Sequence, residues 1–124
     1  MRDRNPLMEE TASRSNRVKI HGPADFAAMR KAGRLTAEAL DLVTPLVRPG
    51  VTTEALDRAV VEFARDHGAT PASLNYRGFP KSICTSINHV VCHGIPSDRP
   101  LKDGDIVNID VTVILDGWHG DTSR

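Results

Sequence analysis

The residues best equipped for chemistry lie in the segment Asp105-Ile-Val-Asn-Ile-Asp110-Val-Thr-Val-Ile-Leu-Asp-Gly-Trp-His-Gly-Asp121. Read as a strand, Val107, Ile109, Val111, Val113 and Leu115 share one face, while Asn108, Asp110, Thr112 and Ile114 share the other. An aspartate inside so apolar a strand is costly unless something neutralises it. Asp116-Gly117 is a hairpin signal. With those two residues as the loop, Leu115 faces Trp118 and Thr112 faces Asp121. Asp110 then sits two positions before Thr112 on the same side, which makes Asp110 and Asp121 diagonal neighbours, roughly 7–8 Å apart at the backbone. A four-residue loop gives the same register, whereas a three-residue loop sends the two carboxylates to opposite faces. Such a pair can share a proton, hold divalent cations through a bridging carboxylate, or simply be exposed hairpin charge. Residues 98–124 carry six Asp against three Lys and Arg, an imbalance that a cation would relieve.

A second group is His89, Cys92 and His93, with Cys84 upstream. His89 and His93 have the spacing of a helical zinc pair, but Val90 and Val91 between them favour extended chain, and neither an HExxH nor a CxxC pattern is present. His93, followed by Gly94 and a proline-closed loop, is better suited to presenting a polar group at a cleft. Cys84 and Cys92 read as small buried hydrophobes. His119 is near enough to Asp121 in sequence to orient it.

These residues need a frame. Gly22-Pro23 opens a helix whose apolar positions Phe26, Met29, Leu35, Ala39, Leu42, Val43 and Leu46 recur at helical steps, with irregularity expected near Gly33 and Pro45. Thr52 or Thr53 caps a second helix carrying Leu56, Ala59, Val60, Phe63 and Ala64, and Gly68 ends it. Ala72–Tyr76 and Ser82–Ile87 read as strands, followed by a short apolar run, Val90–Pro96, that breaks into a loop. Helices followed by antiparallel strands make an α+β fold, helices packed on an antiparallel sheet.

Composition is compatible with that frame. The 124 residues suit one domain, with 40% apolar and 26% charged residues. Sixteen Lys and Arg balance sixteen Asp and Glu, so a basic nucleic-acid surface is not indicated. No apolar run approaches the ~20 residues of a membrane span. Two cysteines suit a reducing, cytoplasmic compartment rather than a disulfide scaffold. Residues 1–20 lack a continuous apolar stretch and read as a flexible arm ahead of a folded unit over 21–124. The chain stops at Arg124 directly after a strongly patterned strand, which reads as a truncation.

The segments LNYRGFPKSICTSINHVVCHGIP (residues 74–96) and LKDGDIVNIDVTVILDGWHGDTS (residues 101–123) resemble type I bacterial methionine aminopeptidases, and the similarity runs from about residue 21 onward. The resemblance implies the first half of a pita-bread fold. It also implies a hydrolase that removes the initiator methionine from nascent proteins when the next residue is small. By the same resemblance, Asp110 and Asp121 are metal ligands, with Asp121 shared between two divalent ions (Co, Mn, Fe or Zn). His93 contacts substrate and assists catalysis. Tyr76, Phe79 and Cys84 line the methionine pocket, and the backbone carbonyls of Asn88 and Val90 hold a monovalent cation. Arg77 stands where many relatives have His, and Phe79 where many have Tyr. The family's remaining ligands, one His and two Glu, belong to a second half that these residues do not include, so this chain alone is expected to be inactive.

The implied partners are nascent polypeptide N-termini, with transient contact to the ribosome, no direct nucleic-acid or membrane binding, and a monomer at full length. Two other readings compete. One is a non-catalytic binding module on the same fold. The other is a small Cys/His zinc protein, in which zinc binding would survive loss of Asp110 and fail with loss of Cys92.

Overall fold

A computed structural model describes residues 17–124; most of the expected N-terminal arm, residues 1–16, lies outside the described residues. Helix α1 spans Pro23–Val43. Pro23 at its first position has no N–H to leave unpaired, and Asp25 accepts hydrogen bonds from Gly22 N (3.1 Å) and from His21 Nδ1 (3.2 Å). The helix runs unbroken through Gly33 and ends only where Thr44–Leu46 tightens into a 3₁₀ turn around Pro45. Its buried face is Ala32, Leu35, Thr36, Ala39, Leu40 and Val43. The buried Thr36 hydroxyl is satisfied within the helix, donating to Ala32 O at 2.8 Å.

Helix α2 spans Thr53–Asp66 and is capped by Thr52, whose Oγ1 accepts from Ala55 N at 3.1 Å. Gly68, at φ +68°, takes the left-handed position that closes it. Leu56, Val60 and Ala64 face the core, and Asp57 lies beside them, 7% exposed. The Asp57 carboxylate accepts the backbone N–H groups of Ser82 (2.7 Å) and Ile83 (3.0 Å), which fixes where the next long strand begins.

The sheet is antiparallel and centred on β3 (Val107–Leu115). On one edge of β3 lie β1 (Thr70–Pro71) and then β2 (Ile83–Ile87), and on the other edge β4 (Trp118–Ser123). Ile109, Val111, Val113 and Leu115 are buried against the helices, with Ile83 joining them from β2. Gly120 on β4 makes the helix contact possible. A Cβ there would collide with Thr36 Oγ1 and Ala32 O and would stand 2.7 Å from the Ala32 carbonyl carbon.

One expected strand is absent. Only Thr70–Pro71 pairs with β3, and Ala72 N donates a last bond to Thr112 O. The chain then folds back on itself: Asn75 N donates to Phe79 O (2.8 Å), and Tyr76–Gly78 form a 3₁₀ turn. Asn75 and Arg77 have positive φ, which no strand accommodates. No described helix is long and apolar enough to cross a membrane.

Candidate metal centre and cleft

The hairpin has the two-residue loop and the register worked out above: Leu115 opposite Trp118, Thr112 opposite Asp121. Asp110 and Asp121 therefore project from the same side of the ribbon, away from the core face. Cys84 pairs with Asp110 from the other neighbour, β2, and is on that side as well. Thr112 Oγ1 donates to Asp121 Oδ1 at 2.9 Å. His119, two residues before Asp121 on β4, is exposed and pairs opposite Ile114.

The environment disfavours charge on Asp110. Burial is the largest influence raising its carboxyl pKa, followed by a hydrogen bond with Asp121 and by the negative charge of Asp121, while His93 works in the opposite direction. The Cys84 thiol is likewise raised, first by burial and then by Asp110, Cys92 and Asp121. A half-buried carboxylate crowded by a second one is the setting that a cation would relieve.

His93 reaches this face from the loop after β2. Its backbone is left-handed, φ +55°. The next residue holds the loop down: Thr85 N donates to Gly94 O (2.8 Å), and Gly94 N donates to Ser86 Oγ (3.1 Å). A side chain at position 94 would strike the β2 backbone, its Cβ 2.7 Å from Thr85 C and 2.8 Å from Ser86 Cα. Glycine lets the loop lie directly on the strand and so sets the position of His93.

Tyr76, Phe79, Cys84, His93, Asp110 and Asp121, the six residues expected to meet substrate or divalent metal, line one cleft of about 520 Å³. Thr112, Arg77, Pro80 and Ile95 line it too. The Arg77 guanidinium lies over the Tyr76 ring, 5.3 Å from its centre, at the exposed side. Thr112 and Ile95 escaped the sequence reading as site residues. The signal for Thr112 was present, since the register arithmetic sets it opposite Asp121.

Asn88 and Val90 line a separate hollow of about 230 Å³ with His89. Asn88 is held by its side chain: Nδ2 donates to Asp105 Oδ1 (2.9 Å), and Oδ1 accepts from Ile106 N (3.0 Å). Cys92 departs from expectation, because it is exposed rather than buried. The apolar residues around it belong to a loop with Val91 at the surface, so the local hydrophobicity does not reflect a core segment.

Among the described residues no group of three or more His, Cys, Asp and Glu side chains could hold a metal ion. Asp110 and Asp121 thus fit as two oxygen donors of a divalent site that needs further ligands.

A ribbon presenting paired carboxylates to a histidine-edged cleft, on the sheet face opposite the two helices, is the kind of arrangement found in metal-dependent hydrolases. The pattern defining metallopeptidase family M24 matches residues 27–124, and the chain belongs to that family. The methionine aminopeptidase of Rickettsia prowazekii is 67% identical over 107 residues, covering 86% of this chain and 41% of that protein. That of Escherichia coli K12 is 57% identical over 109 residues, again 86% of this chain and 41% of the other. The crystal structure of the Rickettsia enzyme superposes with a TM-score of 0.85 over 87% of this chain and 44% of that one. The fold is therefore of the pita-bread type, and the chain spans about two fifths of the length of the curated relatives it matches. Membership of a metallopeptidase family implies dependence on divalent metal ions.

Proposed function

We propose that these residues form the carboxylate and substrate-recognition part of a methionyl aminopeptidase, acting on the N-termini of nascent proteins whose second residue is small. The observation that carries this reading is the meeting of Asp110, Asp121 and His93 with Tyr76, Phe79 and Cys84 around one cleft. The names of the relatives support it.

In this reading Asp110 and Asp121 would be the residues of this chain that hold divalent ions of the Mn, Fe, Co or Zn kind. Bound there, the ions would supply Lewis-acid activation of water and of the scissile carbonyl. His93 donates a hydrogen bond near the reacting amide and stabilises charge as it develops. Tyr76, Phe79 and Cys84 pack against the methionine side chain, whose unbranched thioether suits aromatic and sulfur surfaces. The backbone carbonyls of Asn88 and Val90 would hold a monovalent cation. The protein works in the cytoplasm as a monomer, in transient contact with the ribosome. The 124 residues by themselves contribute two metal donors and turn over no substrate.

The test compares the complete gene product with the 124-residue chain, each incubated with a Met-Ala-Ser peptide and Mn²⁺ or Co²⁺. Release of methionine by the complete protein alone supports the proposal. A folded, metal-supplemented complete protein that releases none rejects it and leaves a binding module on the same fold.

A further inference from the structure

We propose that Thr112 is the positioning residue for Asp121, its hydroxyl holding that carboxylate in the orientation that cations require. This rests on the reading of Asp110 and Asp121 as cation ligands. The two carboxylates are not held alike. Asp110 is half-buried in the middle of β3, with strands on both sides of it. Asp121 is exposed on the outer strand, where little packing restrains its side chain. The Thr112 hydroxyl, Oγ1, donates to Asp121 Oδ1 at 2.9 Å, and unlike a contact with the Asp110 carboxyl this bond does not depend on a carboxyl proton that a cation would displace.

The geometry suits a positioning role. Thr112 lies directly across the ladder from Asp121 and two residues beyond Asp110 on the same face. A bond from that hydroxyl draws Asp121 inward over β3, toward Asp110. Threonine is branched at Cβ, so its χ1 is stiff and the hydroxyl is presented in a defined direction. One lone pair of Oδ1 is engaged in this way, leaving the rest of the carboxylate to face the cleft. Groups that hydrogen-bond to metal ligands in this manner typically change affinity by about 10–100-fold when removed. Asp121 is exposed and water can replace part of the lost bond, so the lower end of that range applies.

The experiment uses the complete gene product, stripped of metal and titrated with Mn²⁺ by calorimetry, as wild type, Thr112→Val and Thr112→Ser. Valine keeps the shape and removes the donor, while serine keeps the donor. Urea midpoints are measured on all three. The expected result is Mn²⁺ affinity about 10-fold weaker in Thr112→Val, recovery to within 3-fold in Thr112→Ser, and an unchanged Thr112→Val midpoint. A loss below 5-fold in Thr112→Val, or equal losses in the two variants, overturns the positioning role while the carboxylate reading stands. A Thr112→Val loss that scales with a lowered midpoint and is shared by Thr112→Ser marks a structural role and likewise overturns it. Failure of the folded wild type to bind Mn²⁺ removes the carboxylate reading and this inference together.

Discussion

Replacing Asp57 by alanine tests how the site is anchored to the helical layer. Asp57 sits on α2, 7% exposed, and its Oδ1 accepts both Ser82 N and Ile83 N. Ser82 is 1% exposed and Ile83 is fully buried, so water cannot take over either bond. Each buried N–H left unpaired costs about 1–3 kcal/mol. Alanine strands two, and the expected loss is therefore about 4 kcal/mol, a large part of the ~5–15 kcal/mol that holds a domain together. At about 2.1 cal/mol/K of unfolding entropy per residue, that corresponds to a fall of roughly 15 °C in Tm for a unit of this size. Asparagine keeps an acceptor oxygen without the charge, and about half the loss is expected. Urea unfolding of wild type, Asp57→Ala and Asp57→Asn supplies the free energies, and amide exchange at Ser82 and Ile83 reports the local consequence. A Asp57→Ala protein within 1 kcal/mol of wild type, with both amides still slow to exchange, would refute the argument.

Three further outcomes are expected. Gly94→Ala drives a Cβ into Thr85 O and forces the His93 loop off the β2 backbone by about 1 Å or more to restore ordinary contact distance, and displacements of about 1 Å at a reacting centre cost roughly 100-fold; kcat of the complete gene product on Met-Ala-Ser should fall by about that factor, and a value within 3-fold of wild type counts against it. Thr85 is 4% exposed and its hydroxyl is buried without a hydrogen-bond partner; Thr85→Val should raise unfolding stability by about 1 kcal/mol, and a loss above 0.5 kcal/mol on the same urea scale contradicts the premise. Asp105 accepts from Lys102 N, Asn88 Nδ2 and Arg99, which hold its carboxyl at about 2, below the unfolded value near 3.9. The unfolded state therefore takes up the proton first, so this contribution is whole above about pH 4 and is lost as pH falls toward 2; Asp105→Asn should flatten the stability profile in that window, and a profile parallel to wild type argues against it.

The parts legible in the sequence were those governed by periodicity. A strand has a period of two, so once Asp116-Gly117 supplied the turn, the facing of Asp110, Thr112 and Asp121 followed with no further freedom. The Thr52 cap and Gly68 stop of α2 were legible for a similar reason, because each answers a local backbone demand. Residues 72–80 were not. Ala72–Tyr76 has the composition of a strand, but its path is decided by where β3 runs out of free edge, since β2 claims positions 107–111 of that edge. Cys92 is exposed because an apolar run does not determine which way a side chain faces when no ladder holds it. The propensity of Gly33 alone predicts irregularity, and the packing of Ala32, Leu35 and Thr36 on the sheet carries the helix through it.

These differences divide the cleft into two kinds of surface. Its carboxylate floor is built on β3 and β4, where the ladder fixes each side chain to a face. Its rim, carrying Tyr76, Phe79 and His93, is built on loops in which Asn75, Arg77, Asn88 and His93 all hold positive φ. Non-glycine residues there cost energy and persist only where surrounding structure over-determines them. That over-determination is visible: Asn75 N to Phe79 O closes the first loop, while the Asn88 side chain and the Gly94 contacts pin the second. Both loops are fastened to the strands that carry the floor, the first through Ala72 to β3 and the second through Gly94 to β2. The rim and the carboxylate floor are thereby tied to one sheet, so a change that shifts β2 against β3 disturbs His93 and the Cys84–Asp110 pair together.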